Sequence, residues 1–283
     1  MSILETKGLC LIYNKGTTEE TRAIDDVSIS VEPGEILGII GHTGSGKSTL
    51  AQLLNGLLKP AAGKVFLDGE DIWKNPKKIR SVRFQVGLCF QYPEYQLFEE
   101  TVYKDISFGP KCKGISGDEL GKAVREAAEM VGLDDRLLEA SPFDLSGGEK
   151  RRAAIAGVMA MRPRVLILDE PTAGLDPRGR EKILKQVVSY RDQTGSSVIL
   201  ISHSMEDVAN TCDRVLVMNK GRVEMLAPTV EVFACAERLC EIGLEVPQVT
   251  RIFMELRRRG LDVSPSVFTM GYAKKEAVRL MQR

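Results

Sequence analysis

The chain has 283 residues, 43% hydrophobic and 28% charged, with 39 basic and 39 acidic side chains and a formal net charge of zero. That length suits one large α/β domain with a small appendage, and the composition is that of a protein that buries a core. Balanced charge argues against a dedicated nucleic-acid binder, which needs an excess of cations to neutralise phosphates.

No stretch approaches the run of about 18 apolar residues that a bilayer span requires. Met1 to Lys7 lack the basic-then-apolar order of a secretory leader. The six cysteines (Cys10, Cys89, Cys112, Cys212, Cys235 and Cys240) form no CxxC pair, and the two histidines lie apart from any cysteine cluster. Reduced cysteines and no zinc site are the expectation.

In chain order, Ile24, Val27, Ile29 and Val31 alternate in sidedness, which predicts an antiparallel strand over 24–31 with one wet face. Glu35 to Ile40 is a continuous apolar strand. The segment Gly41-His42-Thr43-Gly44-Ser45-Gly46-Lys47-Ser48 follows it and matches GxxxxGK[ST], with a helix predicted to open near Lys47. The composition has a physical reason. Gly41, Gly44 and Gly46 let backbone N–H groups turn inward around an anion, and the helix points its positive end at the phosphates. Lys47 would bridge the terminal phosphates, Ser48 would ligate Mg²⁺, and Thr49 would donate to the α-phosphate. His42, Thr43 and Ser45 line the cradle at variable positions of the pattern.

Val86 to Phe90 is the next apolar strand, and Gln91 follows it. Residues 101–162 read as helical: Glu119 to Val131 has apolar residues at helical spacing, and Ser146 to Met161 is rich in Ala, Met, Arg and Lys. Val165 to Leu168 and Val198 to Ile201 are fully apolar, as central parallel strands covered on both faces should be. Helices are predicted at 178–192 and 204–211. This alternation predicts a parallel α/β sheet. Asp169 and Glu170 close the strand at 165–168. Asp169 would reach Mg²⁺, and Glu170, pointing differently, would polarise the attacking water. After Pro228 the pattern changes to short helices at Val232–Ile242, Val246–Arg259 and Lys275–Met281. The predicted boundary divides the chain into 1–228 and 229–283.

Five further segments complete a resemblance to ABC-type ATPases. Leu145-Ser146-Gly147-Gly148-Glu149 resembles their signature motif, Gln91 the Q-loop glutamine and Gly174-Leu175-Asp176 the D-loop. His203 resembles the switch histidine, and Tyr13, ending a first strand, the aromatic that stacks on adenine. The resemblance covers about residues 3–225, with the motifs in the family's order. It implies a P-loop ABC ATPase fold: a mostly parallel core sheet, an antiparallel β subdomain and a helical subdomain, here followed by a small mainly helical C-terminal domain. It also implies that Gln91 touches the metal site as part of the catalytic set and that His203 senses the γ-phosphate and holds the catalytic water. Ser146, Gly147, Gly148 and Asp176 would complete the ATP site of a partner subunit in a head-to-tail sandwich. Ser146 with Glu149 also has the form of an ordinary capping box.

A narrower resemblance rests on Gln91-Tyr92-Pro93-Glu94-Tyr95-Gln96-Leu97-Phe98-Glu99-Glu100, on Glu170-Pro171-Thr172-Ala173-Gly174-Leu175-Asp176-Pro177, and on Gly243-Leu244-Glu245-Val246-Pro247. These are similar to the ATPases of energy-coupling factor importers, of the second, A-prime subtype. The resemblance implies an ATPase that drives uptake of a vitamin or metal ion, peripheral on the cytoplasmic face of the cell membrane. Its partners would be a second, non-identical ATPase, a transmembrane T component and, indirectly, a substrate-binding S component. Tyr92, Tyr95, Leu97 and Phe98, edged by Glu94, Glu99 and Glu100, would receive an arginine-bearing helix of the T component. The competing readings are another ABC transporter class, a non-transport ABC ATPase and a pseudo-ATPase. Fewer than a hundred residues separate Ser48 from Leu145, with no heptad run, which disfavours a DNA-repair ATPase. A single head disfavours a translation factor. Lys47, Asp169, Glu170 and His203 together disfavour a pseudo-ATPase.

Overall fold

The computed structural model describes residues 2–282. In chain order the strands and helices open with β1 (Leu4–Tyr13), β2 (Thr21–Val27), β3 (Ser30–Val31), β4 (Ile36–Ile40) and α1 (Lys47–Leu54). There follow β5 (Ala62–Leu67), β6 (Glu70–Asp71), α2 (Ile79–Gln85), β7 (Val86–Cys89), α3 (Val102–Cys112), α4 (Gly117–Met130) and α5 (Gly147–Met159). Next come β8 (Val165–Asp169), α6 (Pro177–Thr194), β9 (Ser197–Ile201), α7 (Met205–Thr211), β10 (Arg214–Asn219) and β11 (Arg222–Pro228). The tail holds α8 (Thr229–Ala234), α9 (Ala236–Glu241), α10 (Gln248–Arg258) and α11 (Met270–Met281).

The six-stranded sheet has the order β11-β10-β4-β9-β8-β7. All its pairings are parallel except that of β10 with β11. Its central strands bury both faces, and the period of two divides them cleanly. Leu37, Ile39, Val165, Ile167, Ile199 and Ile201 join α1 and the second sheet in one core. Ile36, Ile40, Leu166, Leu168, Val198 and Leu200 face the helices in the other. Each such side chain contributes about 1.5–3 kcal/mol on burial.

The second sheet is antiparallel, ordered β2-β1-β5-β6, with β3 also on β1. The strand expected over 24–31 is therefore two strands. Both pair with β1, β2 at Leu9–Tyr13 and β3 at Leu4–Glu5. Gly8 N–H donates to Ser28 Oγ and Ile29 N–H to Thr6 Oγ1, bonds that replace a continuous ladder. Helices α3, α4 and α5 pack on one another as a separate layer.

In the tail, the helix expected at 232–242 breaks at Cys235 into α8 and α9, and the last helix begins at Met270, five residues early. Val232, Phe233, Ala236 and Leu239 are buried in the main core, so packing continues across Pro228. Phe233 stacks on Phe268 with ring centroids 5.7 Å apart. Val249, Phe253, Val263 and Val267 form a small cluster of their own.

Candidate functional site

Four adjacent parallel strands end on the same edge of the sheet. β4 runs into Gly41, β9 towards His203, β8 into Glu170, and β7 towards Gln91. Ligands in such sheets bind beyond the carboxyl ends of the strands. The topology thus gathers residues far apart in sequence before any side chain is considered.

After β4 the chain wraps back into α1. Gly46 takes φ 99°, and a Cβ there would lie 2.5 Å from the Ala23 carbonyl. Gly41 needs its lack of side chain for space: a Cβ would stand 2.5 Å from Met218 O. Lys47 is buried and folds back over the loop, donating from Nζ to the carbonyls of Gly41 at 2.7 Å and His42 at 3.0 Å. Burial lowers its pKa, while Glu170 and Asp169 pull the other way. Ser45 Oγ is buried without a hydrogen-bond partner. His42 lies against Thr43 O and Asn219 Oδ1, tying the loop to the end of β10.

Asp169 and Glu170 are both buried. Burial raises the pKa of Asp169, opposed by the Ser48 hydroxyl and then by Lys47. Burial pushes Glu170 up to about 7; the Asp169 charge adds to this and Lys47 opposes it. Glu170 sits at φ 52°, and its N–H donates to Ile201 O at 3.0 Å. His203 Nε2 stands 3.6 Å from Glu170 Oε1. Burial and then Lys47 lower the His203 pKa, while Asp169 raises it. Lys47, Ser48, Asp169, Glu170 and His203 thus form one cluster. Tyr13 lies beside α1, its hydroxyl 3.3 Å from Thr49 Oγ1, with an exposed ring. Gln91 is exposed, two residues beyond the end of β7.

The segments expected to serve a partner are surface features of this chain. Ser146 caps α5 in a complete capping box with Glu149. Ser146 and Gly147 are exposed and Gly148 is half-buried. Asp176 caps α6 by accepting from Gly179 N at 2.7 Å, with Pro177 at the first helical position.

The acidic edge expected around residues 91–100 is different in the structure. Glu94 turns inward and pairs with Arg151, Nη2 to Oε1 at 2.6 Å, and Glu100 pairs with Lys104. Buried Asp105, which the sequence did not single out, accepts from the N–H groups of Phe98 and Glu99. Phe98 and Phe108 stay exposed and meet edge to face at 5.1 Å, beside a cavity of about 280 Å³ between α3 and α5. Asp207 was also missed; it accepts from Thr172 Oγ1 at 2.9 Å. No local pattern separates such buried charges from solvated ones. The one available signal is polar residues within otherwise apolar helix faces.

With this geometry in hand, the relatives are informative. The family model described as ABC transporter matches residues 24–173. Energy-coupling factor transporter ATP-binding protein EcfA2 of Caldanaerobacter subterraneus subsp. tengcongensis is 51% identical over 279 residues, 99% of this chain and 98% of that protein. The protein of the same name from Clostridium perfringens is 50% identical over 280 residues, covering 99% of this chain and 98% of its own length. Among solved structures, cbiO1 from Clostridium perfringens, part of the ABC transporter complex cbiONQ, superposes with a TM-score of 0.76 at 38% identity over 90% of this chain and 99% of that one. The ATP-binding cassette MJ0796, in a dimeric post-hydrolysis state bound to ADP and Pi, gives 0.73 at 27% identity over 80% and 98%. A full-length match at this identity, on a chain whose sheet edge carries the P-loop cluster, places it in a family: the chain belongs to the ABC transporters, as an ATP-binding subunit of the energy-coupling factor type.

Proposed function

We propose that this chain binds ATP on its P-loop and hydrolyses it with Glu170 as the base, to drive an energy-coupling factor importer. The observation that carries the chemistry is the joint placement of buried Lys47, Asp169 and Glu170 with His203 at the ends of β4, β8 and β9. A carboxylate pushed up to about 7 is matched to accepting a proton from water near neutral pH. Asp169 lies beside it, and His203 is placed to orient the water or the γ-phosphate. The buried Ser45 hydroxyl, without a partner in the chain, suits a phosphate oxygen. Tyr13 would offer its face to the adenine, and Gln91, beyond the end of β7, would reach the metal site.

Mg²⁺ fits these donors. Ser48 and Asp169 offer hard oxygens side by side, and Mg²⁺ usually takes one or two protein ligands together with substrate phosphates. Among the described residues no cluster of three or more His, Cys, Asp or Glu could hold a metal by itself. Bound there, Mg²⁺ would neutralise charge on the phosphates.

The second half of the ATP site comes from another ATPase subunit, whose signature turn closes over this P-loop while Ser146, Gly147 and Gly148 serve the partner's nucleotide. Relatives in dimeric cassettes and in a transporter complex support the pairing. The partner is a non-identical ATPase. Among the described residues no helix is long and apolar enough to cross a membrane, and the chain works peripherally, on the cytoplasmic face. The T component docks beside residues 91–100, on Phe98 and Phe108, and the S component joins through it. The cargo is a vitamin or a metal ion. The motor is 1–228, with its helical subdomain at about 101–162; α8 and α9 complete its core, and the rest of 229–283 supports pairing.

One experiment tests these assignments. In the purified complex, Glu170→Gln should keep ATP binding and lose about 10²–10⁴-fold in hydrolysis, with uptake lost in parallel. Replacing Phe98 and Phe108 by Ala should instead prevent co-purification with the T component. Near-native turnover in Glu170→Gln would remove Glu170 from its role, and an intact complex with both alanines would move the docking site elsewhere.

A further inference from the structure

Arg151 lies one turn inside α5, with only 4% of its side chain exposed. Its guanidinium meets two other segments of the chain. Nε and Nη2 donate to the two carboxylate oxygens of Glu94 at 3.1 and 2.6 Å, a bidentate fork. Nη1 donates to the carbonyl of Ala173 and, at 3.5 Å, to that of Pro171. The Tyr92 ring lies 6.0 Å from the guanidinium carbon. One cation therefore joins the helix behind Ser146-Gly147-Gly148, the 3₁₀ turn Pro93–Gln96 after Gln91, and the turn that follows Glu170.

That last turn is braced from two sides. Ala173 N–H donates to Glu170 O at 3.2 Å, closing the turn on itself. Thr172 Oγ1 bonds Asp207 on α7, the helix that follows His203. Arg151 holds the opposite side through the Pro171 and Ala173 carbonyls. Glu170 sits in the left-handed region at φ 52°, a conformation that persists only when its surroundings over-determine it. The guanidinium is part of those surroundings.

We infer that Arg151 is a positioning residue which, with Glu94, sets the Glu170–Ala173 turn relative to the Q-loop, so that movement of residues 92–98 under a docked partner reaches Glu170 through this guanidinium. The inference rests on the reading of Glu170 as the base. It assigns Glu94 an internal task in place of contact with a partner's arginine. It also makes a fork necessary: a lysine offers a point charge, which cannot hold a carboxylate at two oxygens and two carbonyls at once.

The test uses the assembled transporter with Arg151→Lys, Glu94→Gln and the double variant, measuring kcat per bound nucleotide and KM for ATP. Arg151→Lys should lower kcat by about tenfold or more while KM stays within about threefold, because its partners are Glu94, Pro171 and Ala173 and not Lys47, Ser48 or Asp169. Glu94→Gln, which keeps the volume and one acceptor, should show the same split with a smaller loss. The double variant should lose no more than Arg151→Lys alone, because the two residues act as one unit. Unchanged kcat in both single variants, losses that add, or KM rising in step with the fall in kcat would overturn the inference. If Arg151→Lys fails to assemble, Glu94→Gln decides by the same split. Glu170→Gln measured alongside separates the two claims. If it keeps turnover, the base assignment fails. If it collapses while Arg151→Lys turns over normally, the positioning role alone is rejected.

Discussion

Glu170 carries two costs at once: a left-handed backbone and a buried carboxylate next to another one. Its pKa is raised to about 7 from an ordinary 4.5, so between those values the folded chain binds more protons than the unfolded chain. The sign follows from linkage: stability falls as pH rises through that window and stays lowered above it. Glu170→Gln removes the charge and keeps the shape. The nucleotide-free variant should gain about 2 kcal/mol above pH 7, once screening by cleft water is allowed for, and nothing below about pH 4.5. Urea midpoints at pH 5 and pH 8 measure the difference, and a variant less stable at pH 8 would contradict the cause given for the shift. Tyr13 makes a second residue-scale case. Its hydroxyl reaches Thr49 and leaves the ring face free, so no base edge is read. Tyr13→Ala should weaken ATP and GTP alike, by about 1–3 kcal/mol of lost stacking, and Tyr13→Phe should retain most of the affinity. A loss confined to ATP in equilibrium titrations would point to a hydrogen bond to the adenine edge.

At the scale of elements, the strands that carry chemistry were the legible ones. Ile36–Ile40, Val165–Asp169 and Ser197–Ile201 are buried on both faces, and such strands announce themselves as apolar runs. The P-loop cluster was legible for the same reason, since each motif abuts one of these runs. Strand β11 was not legible: its residues are mostly half-buried, so neither a run nor an alternation marks it. Strand β10, fully apolar from Val215 to Met218, is not among the predicted strands; its cue is the two-residue turn Lys220-Gly221 that leads into β11. The tail shows the limit of reading helices one at a time. The pattern predicts a short helix at 232–242, but not that the apolar side chains of α8 and α9 belong to the motor's core. A cut at Pro228 would expose Val232, Phe233, Ala236 and Leu239, and losing such burial costs about 1.5–3 kcal/mol for each large side chain. The shorter chain should therefore be markedly less stable and prone to aggregate. A cut after Val246 keeps α8 and α9, and should preserve nucleotide binding while weakening pairing in the absence of nucleotide. Sedimentation of the two truncations distinguishes these outcomes, and an unchanged dimer after the second cut would deny α10 and α11 a role in pairing.

For the molecule as a whole, the candidate site is laid out as a sequence of sheet positions: the P-loop, His203, the acidic pair and Gln91 follow β4, β9, β8 and β7 in spatial order. The inner strands of that series are bonded to neighbours on both sides, whereas β7 is bonded to β8 alone and forms the border of the sheet. The segment that leads from the nucleotide site to the helical layer therefore hangs from the least constrained strand. In deuterium exchange, protection should decay from the centre outward, with β4 and β9 amides exchanging last and those of β7 and the following Q-loop much sooner. A border strand of this kind would serve as a compliant joint: α3, α4 and α5 would tilt at the expense of side-chain contacts, with the central hydrogen bonds left intact.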